Sequence, residues 1–104
     1  MALYPHSIAS LRKMIRERFP LAETKEYDLA KLNVNRIKFD WNLQLMFCED
    51  ILWMLEEIEK MDPAEKGKAG RWFGWIAGYL EVMEFLPNAQ TRDMVRVDVK
   101  NGNA

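Results

Sequence analysis

The chain has 104 residues, of which 49% are hydrophobic and 30% charged, and its net charge is −1. This composition is ordinary for one globular domain with a modest core, and neither bulk nucleic-acid binding nor a polyacidic tail is implied. The single cysteine, Cys48, excludes an internal disulfide framework and a multi-cysteine metal site, so we expect a cytoplasmic location. Since no apolar run reaches the ~18 residues of a membrane span and no signal-peptide pattern is present, no membrane partner is expected.

The charge is distributed unevenly along the chain. Residues 1–39 carry eight basic and four acidic side chains, net +4. Residues 40–62 carry one basic and seven acidic side chains, net −6. We therefore expect a basic N-terminal arm and an acidic central segment.

A short amphipathic helix is predicted over residues 7–19, with Ile8, Leu11 and Ile15 on one face and Phe19-Pro20 stopping it. Basic residues on its other faces are Arg12, Lys13, Arg16 and Arg18. We expect these basic residues to form a solvated face, a docking surface for an acidic partner or for the acidic central segment of a sister subunit, or a phosphate-contacting element. Nucleic acid is the least expected partner, because the chain lacks helix-turn-helix spacing, an RNA-type aromatic motif and a basic excess. The candidate partner contacts here are Arg12 and Arg16. Residues 21–34 are ambiguous, with a two-turn helix as one option.

The segment DPAE, residues 62–65, predicts the start of a helix. Asp62 suits the N-cap, Pro63 suits the first helical position, and Glu65 can complete a capping box. We expect this helix over 63–86, ended by Pro87. Residues 35–61 contain no Gly or Pro and carry apolar residues at helical spacing, so a second long helix is expected there. The predicted fold is one all-α domain over 1–104, a long antiparallel helical hairpin with a short N-terminal helix.

Residues 87–104 are expected to form a C-terminal tail. Val95, Val97 and Val99 alternate with charged residues, which is a weak strand signal. The alternative is a short helix capped by Thr91. The last four residues, 101–104, are expected to be disordered.

The helix over 35–61 has an unusually broad apolar surface. Two adjacent apolar stripes cover about 200° of its circumference, whereas ~100° suffices against one neighbour. Together with four Trp and seven Met in so small a chain, this width predicts a homo-oligomer, a dimer or larger. Met46 and Trp53 intrude on the polar face and are candidate partner contacts, unless the N-terminal helix buries them.

Four of the five glycines lie within the predicted helix over 63–86 and share one face of it. They are Gly67, Gly70, Gly74 and Gly78. Each mid-helix glycine costs up to ~1 kcal/mol relative to alanine, so a compensating role is expected. The favoured interpretation is a face on which another helix packs closely in the oligomer. The competing interpretation is a floor for a flat ligand, with Lys66, Lys68 and Arg71 as ligand or anion contacts near the helix N-terminus. The third interpretation is that these glycines are incidental and that the helix simply tolerates them.

No catalytic constellation is found in the sequence. His6 is the only histidine and is expected to be an exposed bystander. Without a second histidine, a di-metal carboxylate site is not expected. The carboxylates of the predicted hairpin, Glu49, Glu56, Glu57, Glu81 and Glu84, are expected to form a solvated face. Cys48 lies on an apolar stripe, which predicts a buried thiol rather than a nucleophile. We predict a non-catalytic protein with no metal and no cofactor.

Residues 71–78, RWFGWIAG, resemble an R-W-x-G-[aromatic]-x-x-G motif of short helical bacteriophage and prophage proteins. In those proteins the motif lies near the start of the last long helix, and Thr91-Arg92-Asp93 is similar to the segment that follows it. The resemblance covers about 25 residues and is an analogy of origin more than of activity. Ala77 stands where the family usually has Gln.

The resemblance implies an accessory protein of a phage or prophage. Such small helical proteins include inhibitors that bind a host defence protein and helical oligomers that sequester cyclic-nucleotide signals. We therefore expect a non-catalytic binding protein that inhibits or sequesters a host factor, protein or small nucleotide, in the host cytoplasm. The alternatives are a structural or assembly component of a phage particle and a nucleic-acid-associated regulator.

Overall fold

The structure, a computed structural model, describes residues 3–32 and 34–103. It contains four α-helices: α1 Pro5–Arg18, α2 Trp41–Glu59, α3 Lys66–Val82 and α4 Asn88–Lys100. Short 3₁₀ turns lie at Leu29–Lys31, Val34–Arg36 and Pro63–Glu65, and the described residues contain no strand. The all-α prediction, with a short N-terminal helix before a helical hairpin, is confirmed.

The predicted helix over 35–61 is wrong at both ends. α2 begins at Trp41, because the Asp40 side chain accepts a hydrogen bond of 3.0 Å from the Leu43 N–H and so caps the helix there. The residues before it form the 3₁₀ turn Val34–Arg36 and a further turn. At the other end α2 stops at Glu59, with Lys60 as the C-cap.

The turn between α2 and α3 contains the predicted capping box. The Asp62 carboxylate accepts the Ala64 N–H at 2.8 Å, and the Glu65 carboxylate accepts the Asp62 N–H at 3.2 Å. These bonds satisfy donors that a helix start leaves without partners. The first turn is 3₁₀, and the α-helix itself begins at Lys66.

α3 ends at Val82 rather than at residue 86. Glu84 adopts a left-handed backbone conformation with φ of +56°. The Phe85 N–H then donates to the Leu80 carbonyl and the Glu84 N–H to the Glu81 carbonyl, both at 2.9 Å. These two hydrogen bonds form a Schellman motif, which usually has glycine at the left-handed position. Because glutamate stands there instead, the sequence contains no signal for this helix end.

The predicted C-terminal tail is mostly a helix. α4 buries Thr91 and Asp98, which are two helical turns apart, while Val97 and Val99 are 41% and 57% exposed. The strand signal was wrong, because burial follows the helical period rather than the alternation of valines.

α4 also begins and ends differently from the prediction. Its N-cap is Pro87, not Thr91, and the Glu81 carboxylate of α3 accepts the Asn88 N–H at 2.8 Å. Beyond α4, the Asn103 carbonyl accepts the Tyr4 N–H at 2.8 Å. The expected disorder of the last residues is therefore wrong for 101–103, while Ala104 lies outside the described residues.

α2 is the central helix of the fold. Both α1 and α3 contact it, and α4 packs against α1 and α3. Eleven of the nineteen residues of α2 are buried. Most of its apolar side chains are thus covered within one chain, although Trp41 is 56% exposed, and the width of its apolar surface no longer argues for a second subunit. Within the described residues, no helix is long and apolar enough to cross a membrane.

Candidate functional site

Residues 22–28, which we call the strap, run along α2 without regular secondary structure. The Glu49 carboxylate accepts the Glu23 N–H at 2.7 Å and the Tyr27 hydroxyl at 2.8 Å. The Asp50 carboxylate accepts the Tyr27 N–H at 2.8 Å. Glu49 is only 7% exposed, so the prediction that it belongs to a solvated face is wrong. The ambiguous segment 21–34 contains no α-helix among its described residues.

Between the strap, α2 and α3 lies a cleft of about 550 Å³, which we call the aromatic cleft. Its aromatic lining residues are Tyr27, Trp53, Trp72, Trp75 and Tyr79. Its carboxylates are Glu26, Asp28 and Asp50. The cleft therefore combines large π surfaces with acidic groups, which is a lining suited to a cation.

The tryptophans of the cleft present rigid aromatic surface to solvent. Trp53 stacks on Trp72 with ring centroids 5.9 Å apart and planes inclined by 30°. Trp75 is 61% exposed. The chain's own Lys68 ammonium lies 5.6 Å from the centroid of the Trp72 ring, and Lys25 lies 5.0 Å from that of Tyr27. Two aromatic rings of the lining thus already have an ammonium group of the chain nearby, although neither lysine lines the cleft itself.

Asp50 is a buried charge in this cleft. Asp50 is only 4% exposed, and this burial raises the pKa of its carboxyl group. The Tyr27 N–H lowers that pKa in part, whereas the Glu26 carboxylate raises it. None of the ion pairs within 3–32 and 34–103 includes Asp50. Its negative charge is therefore stabilised by a backbone donor but not by a basic side chain.

The acidic groups next to the two tyrosines of the cleft also affect the pKa values of their phenols. A hydrogen bond to Glu49, together with burial, raises the pKa of Tyr27 to about 12. Burial, followed by the charge of Asp50, also raises the pKa of Tyr79. Both phenols are therefore neutral hydrogen-bonding groups at physiological pH.

No family model, curated protein or solved structure matches this chain. The site is therefore assigned from its geometry and chemistry alone.

Of the two predicted contacts on the polar face of α2, the structure brings one into the aromatic cleft. Trp53 lines the cleft and packs on Trp72 of α3. Met46 is half-buried and does not line the cleft. Asp50, Trp75 and the strap were missed as site elements, because nothing in their local pattern relates them to one another.

The predicted partner contacts on α1 have partners within the chain. Arg12 forms an ion pair of 2.5 Å with Glu59 of α2, and that hydrogen bond raises the pKa of its guanidinium. Arg16 donates a hydrogen bond to the Ala22 carbonyl at the start of the strap. Both side chains therefore help to hold α1 against its neighbours. Whether they also contact another protein stays a prediction.

The four glycines of α3 do not share one environment. Gly70 and Gly74 line a groove of about 310 Å³ between α3 and α4, and Gly67 and Gly78 lie outside it. A Cβ added at Gly70 would lie 3.3 Å from the Tyr4 hydroxyl, whereas at Gly74 or Gly78 it would meet nothing within 4 Å. Among the described residues, Gly70 alone of the four has a close neighbour where a side chain would begin. The oligomer face stays a prediction.

The predicted anion contacts are not gathered around that groove. Lys66, Lys68 and Arg71 are exposed, and none of them lines it. Its basic residues are instead Arg92 and Arg96 of α4, and Arg96 is paired with Asp93 at 2.9 Å. Whether Lys66, Lys68 and Arg71 contact a ligand or an anion elsewhere stays a prediction.

Cys48 is fully buried, as predicted. Burial raises the pKa of its thiol to about 12, so the thiolate is strongly disfavoured at physiological pH. Within the described part of the chain, no group of three or more His, Cys, Asp or Glu side chains could hold a metal ion.

Proposed function

We propose that this protein is a non-catalytic binding protein that captures a partner protein in the aromatic cleft. The observation that carries the proposal is the cleft's three tryptophans, one of which, Trp75, is 61% exposed. Tryptophan is enriched among the few residues that supply most of the binding energy of an interface. Its large apolar surface gains about 25 cal/mol for each Å² that a partner removes from water.

The residues that resemble the phage motif support a biological setting for this binding. Trp72 and Trp75 belong to the segment RWFGWIAG and also line the cleft. We therefore propose that the protein is a phage or prophage accessory protein that inhibits or sequesters a host factor in the host cytoplasm. A protein is favoured over a nucleotide signal or nucleic acid, because the carboxylates of the cleft would repel phosphate.

The second candidate function is a structural or assembly component of a phage particle, acting as a homo-oligomer. It is favoured by large apolar side chains exposed outside the cleft, Leu21 at 94% and Phe39 at 89%. Detection of the chain in purified virions supports this candidate, and its absence from them excludes it.

The proposed function is tested by comparing Trp75→Ala with Trp41→Ala. Trp41 is a matched control, because it is 56% exposed and lies outside the cleft. A partner is first isolated with the wild-type protein, purified, and titrated against all three proteins by calorimetry. We expect Trp75→Ala to weaken binding about thirtyfold, since truncating a hot-spot residue costs about 2 kcal/mol. Equal affinity of the Trp75→Ala and Trp41→Ala variants would overturn the proposal.

A further inference from the structure

The negative charge of the aromatic cleft is only partly balanced by the chain itself. Asp28 is paired with Lys31 at 3.7 Å. Glu26 and Asp50 have no ion-pair partner among the described residues. Burying a carboxylate without a cation is costly, and a cationic ligand would offset part of that cost. The charge of the cleft therefore selects a cation.

The aromatic lining indicates which cation suits the cleft. A guanidinium group is planar and weakly hydrated, stacks on aromatic rings, and donates paired hydrogen bonds to a carboxylate. An ammonium group is a compact, strongly hydrated point charge, and Lys68 already places one on Trp72. Trp75 remains largely exposed, and the volume of about 550 Å³ is within the range of small-ligand pockets.

We infer that the aromatic cleft receives an arginine side chain of the partner protein, with Asp50 as the counter-ion and Trp75 as the stacking surface. This inference rests on the proposed function. The guanidinium enters between strap and α3, where it meets π surface and carboxylate together. Asp50 is a binding residue in this scheme, and the strap positions it through the Tyr27 N–H.

The inference is tested with two short peptides, acetyl-Gly-Arg-Gly-amide and the same peptide with citrulline. Citrulline has nearly the shape of arginine but no charge, so the pair isolates the contribution of the guanidinium charge. Binding is followed by the NMR signals of the tryptophan indole N–H groups in the full-length protein. We expect the arginine peptide to bind at least tenfold more tightly and to move the signals of Trp72 and Trp75. Equal binding of the two peptides would overturn the inference.

Variants of the protein identify the counter-ion. Asp50→Asn keeps an oxygen that can accept the Tyr27 N–H but removes the charge, so the preference for arginine over citrulline should disappear. Asp93→Asn, an exposed change on α4 outside the cleft, should leave the preference intact. Retention of the full preference in Asp50→Asn would contradict the assignment. If that variant does not fold, Glu26→Gln replaces it, and the preference should fall several-fold.

The two proposals fail in different ways. If Trp75→Ala does not weaken capture of the partner, the proposed function is wrong. If Trp75→Ala weakens capture but Asp50→Asn leaves it unchanged, the cleft binds a partner without a guanidinium, and only the arginine inference is wrong.

Discussion

At the residue scale, Glu49 and Asp50 determine the path of a segment that has no regular structure of its own. The strap's N–H groups at Glu23 and Tyr27 have no helix or sheet partner, and the two carboxylates accept them instead. Two adjacent side chains on one turn of α2 thereby close one wall of the aromatic cleft. An acidic residue on a helix is usually solvated, so this role depends on the strap that covers it.

Tyr27 makes the stability of the folded protein depend on pH in the alkaline range. Its pKa is raised to about 12 in the folded protein, against an ordinary value of 10. The folded state therefore retains the phenol proton longer than the unfolded chain does. The resulting stabilisation is complete below pH 10 and is lost as the pH rises to about 12.

Tyr27→Phe is expected to remove the part of this dependence that Tyr27 causes, while Tyr79, whose pKa burial also raises, keeps its own part. The free energy of unfolding in urea should fall less between about pH 10 and about pH 12 in the variant than in the wild type. Absorbance titration at the phenolate band should also show the loss of the tyrosine that ionises near pH 12. Loss of a tyrosine that ionises near its ordinary pKa of 10 would contradict the assignment.

At the element scale, α3 uses its glycines unequally. Gly70 faces the Tyr4 hydroxyl of the segment before α1, while Gly74 and Gly78 have open space where a side chain would begin. The shared face read from the sequence is a fact of helical geometry, but it does not imply a shared function.

Gly74→Ala and Gly70→Ala form a matched pair for testing this difference. We expect Gly74→Ala to raise the free energy of unfolding by about 0.5–1 kcal/mol, because alanine is the better helix former and has space. Gly70→Ala should gain less or lose stability, since the Tyr4 hydroxyl, 3.3 Å from the new Cβ, must move. Urea denaturation measures both.

The opposite result would also be informative. Destabilisation by Gly74→Ala would reveal a contact on this face that a single chain does not contain. Sedimentation of Gly74→Leu then distinguishes the cause, because loss of assembly would support the predicted oligomer face and unchanged assembly would exclude it.

At the scale of the whole molecule, Asp98 joins the two ends of the chain. Its fully buried carboxylate accepts the His6 N–H at 3.0 Å, the Ser7 N–H at 2.8 Å and the Ser7 hydroxyl at 2.5 Å. The local N-cap of α1, Tyr4, contributes no side-chain hydrogen bond. α4 thus supplies the cap of α1, and its negative charge is favourable at that helix terminus.

Asp98→Ala should destabilise the protein by about 2–4 kcal/mol, since it leaves buried donors without a charged acceptor. Asp93→Ala is the control, because its exposed ion pair with Arg96 is expected to contribute less than about 1 kcal/mol. Urea denaturation measures the difference, and hydrogen exchange should show faster exchange of the first amides of α1. A loss no larger than that of Asp93→Ala would show that α1 does not depend on this cap.

The sequence by itself determined the helical class, the capping box at Asp62 and the burial of Cys48. Each of these depends on periodicity or on hydrogen bonds between residues a few positions apart, so the signal is local. It did not reveal the start of α2, because residues 35–61 contain no Gly or Pro that would interrupt the helical pattern before the cap at Asp40. It did not reveal the end of α3, because Glu84 stands where glycine is usual.

The existence of the aromatic cleft, the path of the strap and the cap that Asp98 provides for α1 follow only from the tertiary structure. Tyr27 and Asp50 are 23 positions apart, and Ser7 and Asp98 are 91 apart. No helical or strand period relates residues at such separations, and a buried carboxylate has the same local pattern as a solvated one. Their contacts exist because the packing of α1, α3 and α4 around α2 brings these groups together away from water, where unpaired polar groups are costly.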